Sequence, residues 1–211
     1  IFTRNRGNAV NAQARKLITG GLSKPSKMPG YAYNLPATEC NVGAKLVQVP
    51  GSVCHGCYAL KGRYRFPNVK EAMHRRLKSI DGPLWVETMA ADINARKSKY
   101  FRWHDSGDIQ SLAHLKKIFD VCKLTPDVAH WIPTRESGIL SKLGPEEVPA
   151  NLTIRLSATM VDGNAPKNSW HLTSTVVTEG ASCPAPKQGN ECKSCRNCWD
   201  QSIKNIAYGK H

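Results

Sequence analysis

No apolar run in the 211-residue sequence approaches the ~20 residues that a membrane-spanning helix needs, so a membrane partner is not expected. The opening stretch, IFTRNRGNAVNAQARK, is basic and polar and has no apolar segment of the signal-peptide kind. A cytoplasmic location is the expectation. No internal repeat and no low-complexity tract is visible, which excludes a solenoid or a long disordered linker. Acidic residues are scarce at the front: residues 1–80 hold 14 Lys and Arg against Glu39 and Glu71, for +12. Residues 81–211 hold 16 against 14, for +2, within a total of +14. Charge so unevenly placed points to a nucleic acid or another polyanion as partner, with a solubilising surface as the plainer reading.

Hydrophobic residues make up 40% of the chain, the proportion of an ordinary globular protein. The length suits a single domain over residues 1–211, with a basic lead at 1–30 and a cysteine-rich segment at 181–200. Gly and Pro in GGLSKPSKMPG predict a loop in the lead, and YAYNLPATEC a short strand running into a loop with Cys40. NVKEAMHRRLKSI (68–80) and PLWVETMAADINARKS (83–98) predict helices. Strand and helix patterns then alternate: KYFRWH (99–104), SLAHLKKIFDVCKL (111–124), VAHWIPT (128–134), SGILSKL, NLTIRLSAT (151–159) and STVVTEG. Strands separated by helices indicate parallel βαβ units. Four or five units are too few for an eight-stranded barrel. The expected fold is therefore α/β, a partial, open parallel α/β barrel with cysteine-rich loops near both chain ends. The sequence does not define the oligomeric state.

The eight cysteines carry the chemistry. Cys122 sits in a helical pattern and reads as a small buried apolar residue. The other seven form two groups, and without a secretion signal metal or cluster ligation outranks a disulfide framework. Cys192, Cys195 and Cys198 are spaced C-x2-C-x2-C, and Cys183 precedes a proline, a ferredoxin-like way of presenting thiolates to a [4Fe–4S] cluster. Zinc is the alternative at these C-terminal cysteines. Cys40, thirteen residues, then Cys54-His55-Gly56-Cys57 forms the second group. Three thiolates can hold three irons of a cubane and leave the fourth open. His55 is an alternative ligand, and the loop can instead serve the same site as the C-terminal group. One or two clusters are thus expected.

His104, Asp105, Ser106 and Asp108 follow a predicted strand in FRWHDSGDI, where parallel folds build their sites. His104, Asp105 and Asp108 are the catalytic candidates for acid–base work. The plainer reading is that Asp105 or Ser106 caps a helix starting near Ile109. Arg135, Glu136 and Ser157 follow or end later strands and are candidates for cofactor binding, with ion pairing or capping as the alternative. Arg63, Arg65, Arg75 and Arg76 could bind phosphate, offset a cluster's charge, or line a solvated helix face.

YAYNLPATEC, CHGCYALKGRY and FRWHDSGDI together resemble the phage "gene product 88" family. The resemblance runs from Tyr31 to Trp199 and rests on Cys40, Cys54, Cys57, Tyr58, Ala59, Arg102 to Asp108, Cys192, Cys195, Cys198 and Trp199. It implies a phage origin, hence the cytoplasm of an infected host, and an iron–sulfur protein. A more distant similarity is to radical S-adenosylmethionine enzymes, which also pair a partial α/β barrel with a three-cysteine loop. That similarity implies S-adenosylmethionine as a cofactor. The chain departs from their C-x3-C-x2-C spacing and shows no Gly-Gly-Glu motif after the next strand.

Overall fold

The computed structural model describes residues 11–167 and 170–210. Arg4 and Arg6 of the basic lead fall outside the described residues. Six strands form one open, all-parallel sheet: β1 (Tyr31–Tyr33), β2 (Tyr100–Trp103), β3 (Ala129–Thr134), β4 (Leu152–Val161), β5 (Leu172–Val177) and β6 (Asn205–Gly209). Their order in the sheet is their order in the chain, so each crossover steps one strand in the same direction and β1 and β6 are the edges. The helices are α1 (Ala12–Thr19), α2 (Asn41–Leu46), α3 (Pro67–Ser79), α4 (Trp85–Ala95), α5 (Leu112–Lys123) and α6 (Ser137–Leu140).

Alternation along the strands sorts side chains between two faces. Phe101, Trp103, Ile132, Ile154 and Leu156 join Trp85, Met89 and Ile93 of α4 and Leu115, Ile118 and Cys122 of α5 in the apolar core. Cys122 is fully buried there, as its sequence context predicts. Arg102, Trp131, Pro133, Ser157 and Ser174 take the alternate positions and line a cavity. The α5 segment is helical because apolar residues recur at 112, 115, 118, 119 and 122, and because Ser111 Oγ accepts from the His114 N–H at 3.0 Å. Ser111 is thus the cap. The expected cap by Asp105 or Ser106 does not form; Ser106 Oγ instead donates to the Leu35 carbonyl at 2.8 Å.

Two expectations are corrected and one element is added. Ahead of the expected GGLSKPSKMPG loop, α1 forms over Ala12–Thr19, capped by Asn11 and ended by Gly20 at φ 80°. An alanine Cβ at Gly20 would stand 2.6 Å from the Arg76 Cα, so close approach as well as φ requires glycine there. The sheet has six strands, because Asn205–Gly209 adds β6 beside β5. Arg76 is not on a solvated face: it is buried, and its guanidinium donates to the Gly21 carbonyl at 2.6 Å and to Asn34 Oδ1. Among the described residues no helix is long and apolar enough to cross a membrane.

Candidate cysteine-lined site

The cavity, of about 680 Å³, lies on one face of the sheet toward the C-terminal ends of the strands. The connection between β5 and β6 gives the lining Asn190 and Cys192 and underlies the cavity where the Trp199 ring packs on Trp131. The Thr153 hydroxyl donates to the Trp199 carbonyl at 2.9 Å, and the Trp199 indole donates to the Phe101 carbonyl at 2.9 Å. Arg155 is fully buried beside this segment. Its guanidinium donates to the carbonyls of Cys198 (3.1 Å), Asn197 (3.0 Å), Asp200 (2.7 Å) and Ile203 (2.9 Å). A cationic fork thus fastens the cysteine-rich segment to β4.

Cys40, Cys54 and Cys57 all line the cavity. Cys40 stands at the start of α2, and Cys54 and Cys57 lie on the turn before a 3-10 segment at Tyr58–Leu60. A Cβ added to the buried Gly43 would lie 2.9 Å from the Cys40 Cβ and 3.6 Å from both the Cys40 and Cys54 sulfurs. Glycine therefore keeps clear the space where two thiols converge. Burial pushes the Cys40 thiol far above the ordinary cysteine range, and Asp108, Cys54, Cys57 and Glu136 push it the same way. Burial also raises Cys54, against the nearby Arg135 charge. Thiols in this state surrender their protons readily only to a cation that replaces them. His55 turns aside from this group: its Nδ1 pairs with the Val47 carbonyl at 2.9 Å.

Cys192 opens into the same cavity. Burial raises its thiol, and Cys183 and Cys195 act on it electrostatically. Burial lifts the Cys198 thiol to about 11 despite the Tyr208 hydroxyl 3.2 Å from its sulfur, and Cys183 and Cys192 add to the rise. Electrostatic contacts link Cys40, Cys54 and Cys57 to one another, and Cys192 and Cys198 to Cys183. Among the described residues no group of three or more His, Cys, Asp or Glu side chains that could hold a metal ion is found. The donor set is nonetheless all sulfur, the kind that iron–sulfur clusters and structural zinc both take.

The polar candidates divide. His104 and Asp105 line the cavity and are buried, at 2% and 9% exposure. His104 holds φ at 56°, in the left-handed region. Burial drives its imidazole well below the ordinary histidine range, and His114 and Arg102 push the same way. Tyr64 donates to Asp105 Oδ2 at 3.1 Å, and burial raises that carboxyl. Asp108 is held on all sides: its Oδ1 accepts from the Thr134 hydroxyl (2.6 Å) and the Ile109 N–H (2.8 Å), and its Oδ2 from the Arg135 N–H (2.9 Å). It pins the loop after β2 to the end of β3, while burial lifts its pKa to about 6. Glu136 is buried, and its Oε1 accepts from the Val42 N–H at 3.0 Å, which fixes α2 beside Cys40. Arg135 lines the cavity, with Nε 3.3 Å from the Ala158 carbonyl. Ser157 also lines it and pairs with the Ser174 hydroxyl at 2.9 Å.

Sequence reasoning gave no site role to Arg102, Trp131, Tyr58 or Tyr208, all in the cavity wall, although Tyr58 and Arg102 are among the residues that carry the family resemblance. Arg102 carried a readable signal, a charge at an alternate strand position between Phe101 and Trp103. Tyr208, on the unforeseen β6, carried none.

These features define a parallel α/β protein whose strand ends enclose a cavity lined by thiols from two separate segments. The chain belongs to the Gene product 88 family, whose family model matches residues 2–201. No curated protein and no solved structure matches it.

Proposed function

We propose that this chain is a phage-type iron–sulfur protein that holds at least one [4Fe–4S] cluster on Cys40, Cys54 and Cys57 and works as an enzyme on an anionic substrate in the adjoining cavity. The observation that carries this is the convergence of those three thiols on a cavity beside Gly43, with buried polar groups in the same wall. Cys183, Cys192, Cys195 and Cys198 form the second set, for a further cluster or, in the alternative, zinc. When bound, the first cluster supplies one-electron chemistry and an iron that no cysteine claims, open to a ligand such as S-adenosylmethionine. Around it, Glu136 orients α2, Asp108 fixes the two loops at the mouth, Arg135 offers positive charge and His104 can exchange a proton. The sheet, in this reading, is the open part of a parallel barrel. In support, Arg102 of β2 and Tyr208 of β6 line the same cavity although three strands lie between theirs in the sheet.

The experiment is iron, acid-labile sulfide and zinc analysis of anaerobically purified protein, with electron paramagnetic resonance of the reduced form with and without S-adenosylmethionine. Brown protein with iron and sulfide, and a spectrum altered by the added ligand, is expected. Colourless protein with stoichiometric zinc and no sulfide rejects the proposal.

The +12 of residues 1–80 favours a second reading, a nucleic-acid-binding regulator with a structural or redox-sensing cluster. Steeply salt-dependent DNA or RNA binding, with a cluster spectrum indifferent to added ligands, distinguishes it.

A further inference from the structure

Several buried polar atoms in the cavity wall have no hydrogen-bond partner among the described residues: Arg102 Nε, Trp131 Nε1, both ring nitrogens of His104, and Asp105 Oδ1. Unpaired buried polar groups are rare and costly, so their convergence on one cavity needs an explanation. Trp131 and His104 are 5% and 2% exposed. The Arg102 guanidinium lies over the Trp131 ring at 4.6 Å, which fixes its plane. No carboxylate among the described residues stands within ion-pair distance of it. Tyr58 bonds to it. Arg102 Nε and Trp131 Nε1 are thus held in one wall without an acceptor, although Arg102 Nη1 meets the Met28 sulfur at 4.0 Å and Asp105 acts on the guanidinium electrostatically. Asp105 Oδ1 is an acceptor without a donor, and His104 keeps a strained left-handed backbone of the kind that clusters at working sites. A volume of about 680 Å³ suits a small molecule and admits no nucleic-acid duplex.

We propose that the cavity binds a small molecule whose oxyanion, a carboxylate or a phosphate, is gripped by Arg102 and the Trp131 indole N–H, with a donor group of the same molecule on Asp105. This rests on the reading of the cavity as a working site and names the class of its substrate. Arg102 is then the specificity-determining residue, and the cysteines stand around the rest of the ligand.

The test uses the full chain purified anaerobically. Its thermal midpoint and calorimetric binding are followed with inorganic phosphate, and in a parallel series with acetate, against chloride at equal ionic strength. A saturable response to phosphate or acetate beyond that of chloride is expected, and the stronger series identifies the oxyanion. Arg102→Met should weaken it at least about tenfold, the scale of one charge-assisted hydrogen bond. Trp131→Phe keeps a ring under the guanidinium and should weaken it about fivefold. An identical response in Trp131→Phe and in a folded Arg102→Met, or one that chloride reproduces, overturns the proposal. So does an Arg102→Met protein that loses iron yet binds phosphate normally, which would assign Arg102 to the cysteines Cys192 and Cys198. Iron and sulfide analysis of the same samples keeps the two ideas apart: anion binding lost with Arg102 in iron-free protein sinks the cluster alone, and loaded protein without such binding sinks this inference alone.

Discussion

Replacing Arg155 by Met removes the clamp beneath the cavity. The side chain is fully buried and serves four carbonyls between Asn197 and Ile203 at 2.7–3.1 Å. Each charge-assisted hydrogen bond contributes roughly 1.5–3 kcal/mol in isolation. The four are not additive, and burying the guanidinium opposes them, as the lowered Arg155 pKa records. The net loss is then about 3–5 kcal/mol, the range found when one member of a buried charged network is deleted. That is a large part of the roughly 5–15 kcal/mol that holds a domain folded. With a urea slope of about 2 kcal/mol per M, the unfolding midpoint should fall by about 2 M. Trp199 lies in the clamped segment, so tryptophan emission reports the transition directly. Arg155→Lys should do little better, because one ammonium cannot span four carbonyls. A midpoint within about 0.3 M of the wild type would refute the clamp.

Two further outcomes follow from the same geometry. Gly43→Ala places a Cβ 2.9 Å from the Cys40 Cβ, so iron content after anaerobic loading should fall by half or more; full iron with a raised melting temperature would show that the usual ~1 kcal/mol helical advantage of Ala prevails. Burial holds His114 and His130 near a pKa of about 3 against 6.5 in the unfolded chain. The unfolded chain therefore binds more protons between those values, and stability should be full above about pH 6.5 and fall as the pH drops toward 3 by up to about 1.4 kcal/mol per unit per histidine. Urea midpoints at pH 7 and pH 5 measure this, and an unchanged midpoint contradicts the burial of the pair.

The parts legible in the sequence are those whose pattern is their own cause. The α5 helix announces itself through its apolar spacing and Ser111, and β4 through the alternation in LTIRLS. By contrast, α1 is polar along AQARKLIT and is held by a distant partner, Arg15 reaching Asp92 of α4 at 3.2 Å. β6 has only NIAYG to offer and exists because β5 supplies its ladder. Cysteine spacing separates the three from the four, but no spacing encodes that Cys192 of the four opens into the cavity lined by the three, since the arrangement of the whole sheet decides that. Asp108 shows the limit from the other side. A carboxylate after a strand is a fair catalytic candidate, and Asp108 does line the cavity, but the three hydrogen bonds by which it also braces two loops have no signal in the sequence.

The floor of the cavity has a consequence for the order of folding. Trp199 meets Phe101 across 98 positions of sequence, and Arg155 meets Asp200 across 45. Contacts of such range close long loops and form late. The strands β1 to β4 and their helices need none of the segment from Cys183 to Gly209 to bury the apolar core, whose members all precede Ala158. That segment therefore docks onto a body already built and is the first to leave it in a partial opening. Until it docks, the face that carries Arg102 and Trp131 lies open to solvent from below, and the second set of cysteines is still on a free strand of chain. If the proposed cluster is held by Cys40, Cys54 and Cys57, its loading can precede that closure, whereas Cys192 takes its place in the cavity wall only with it.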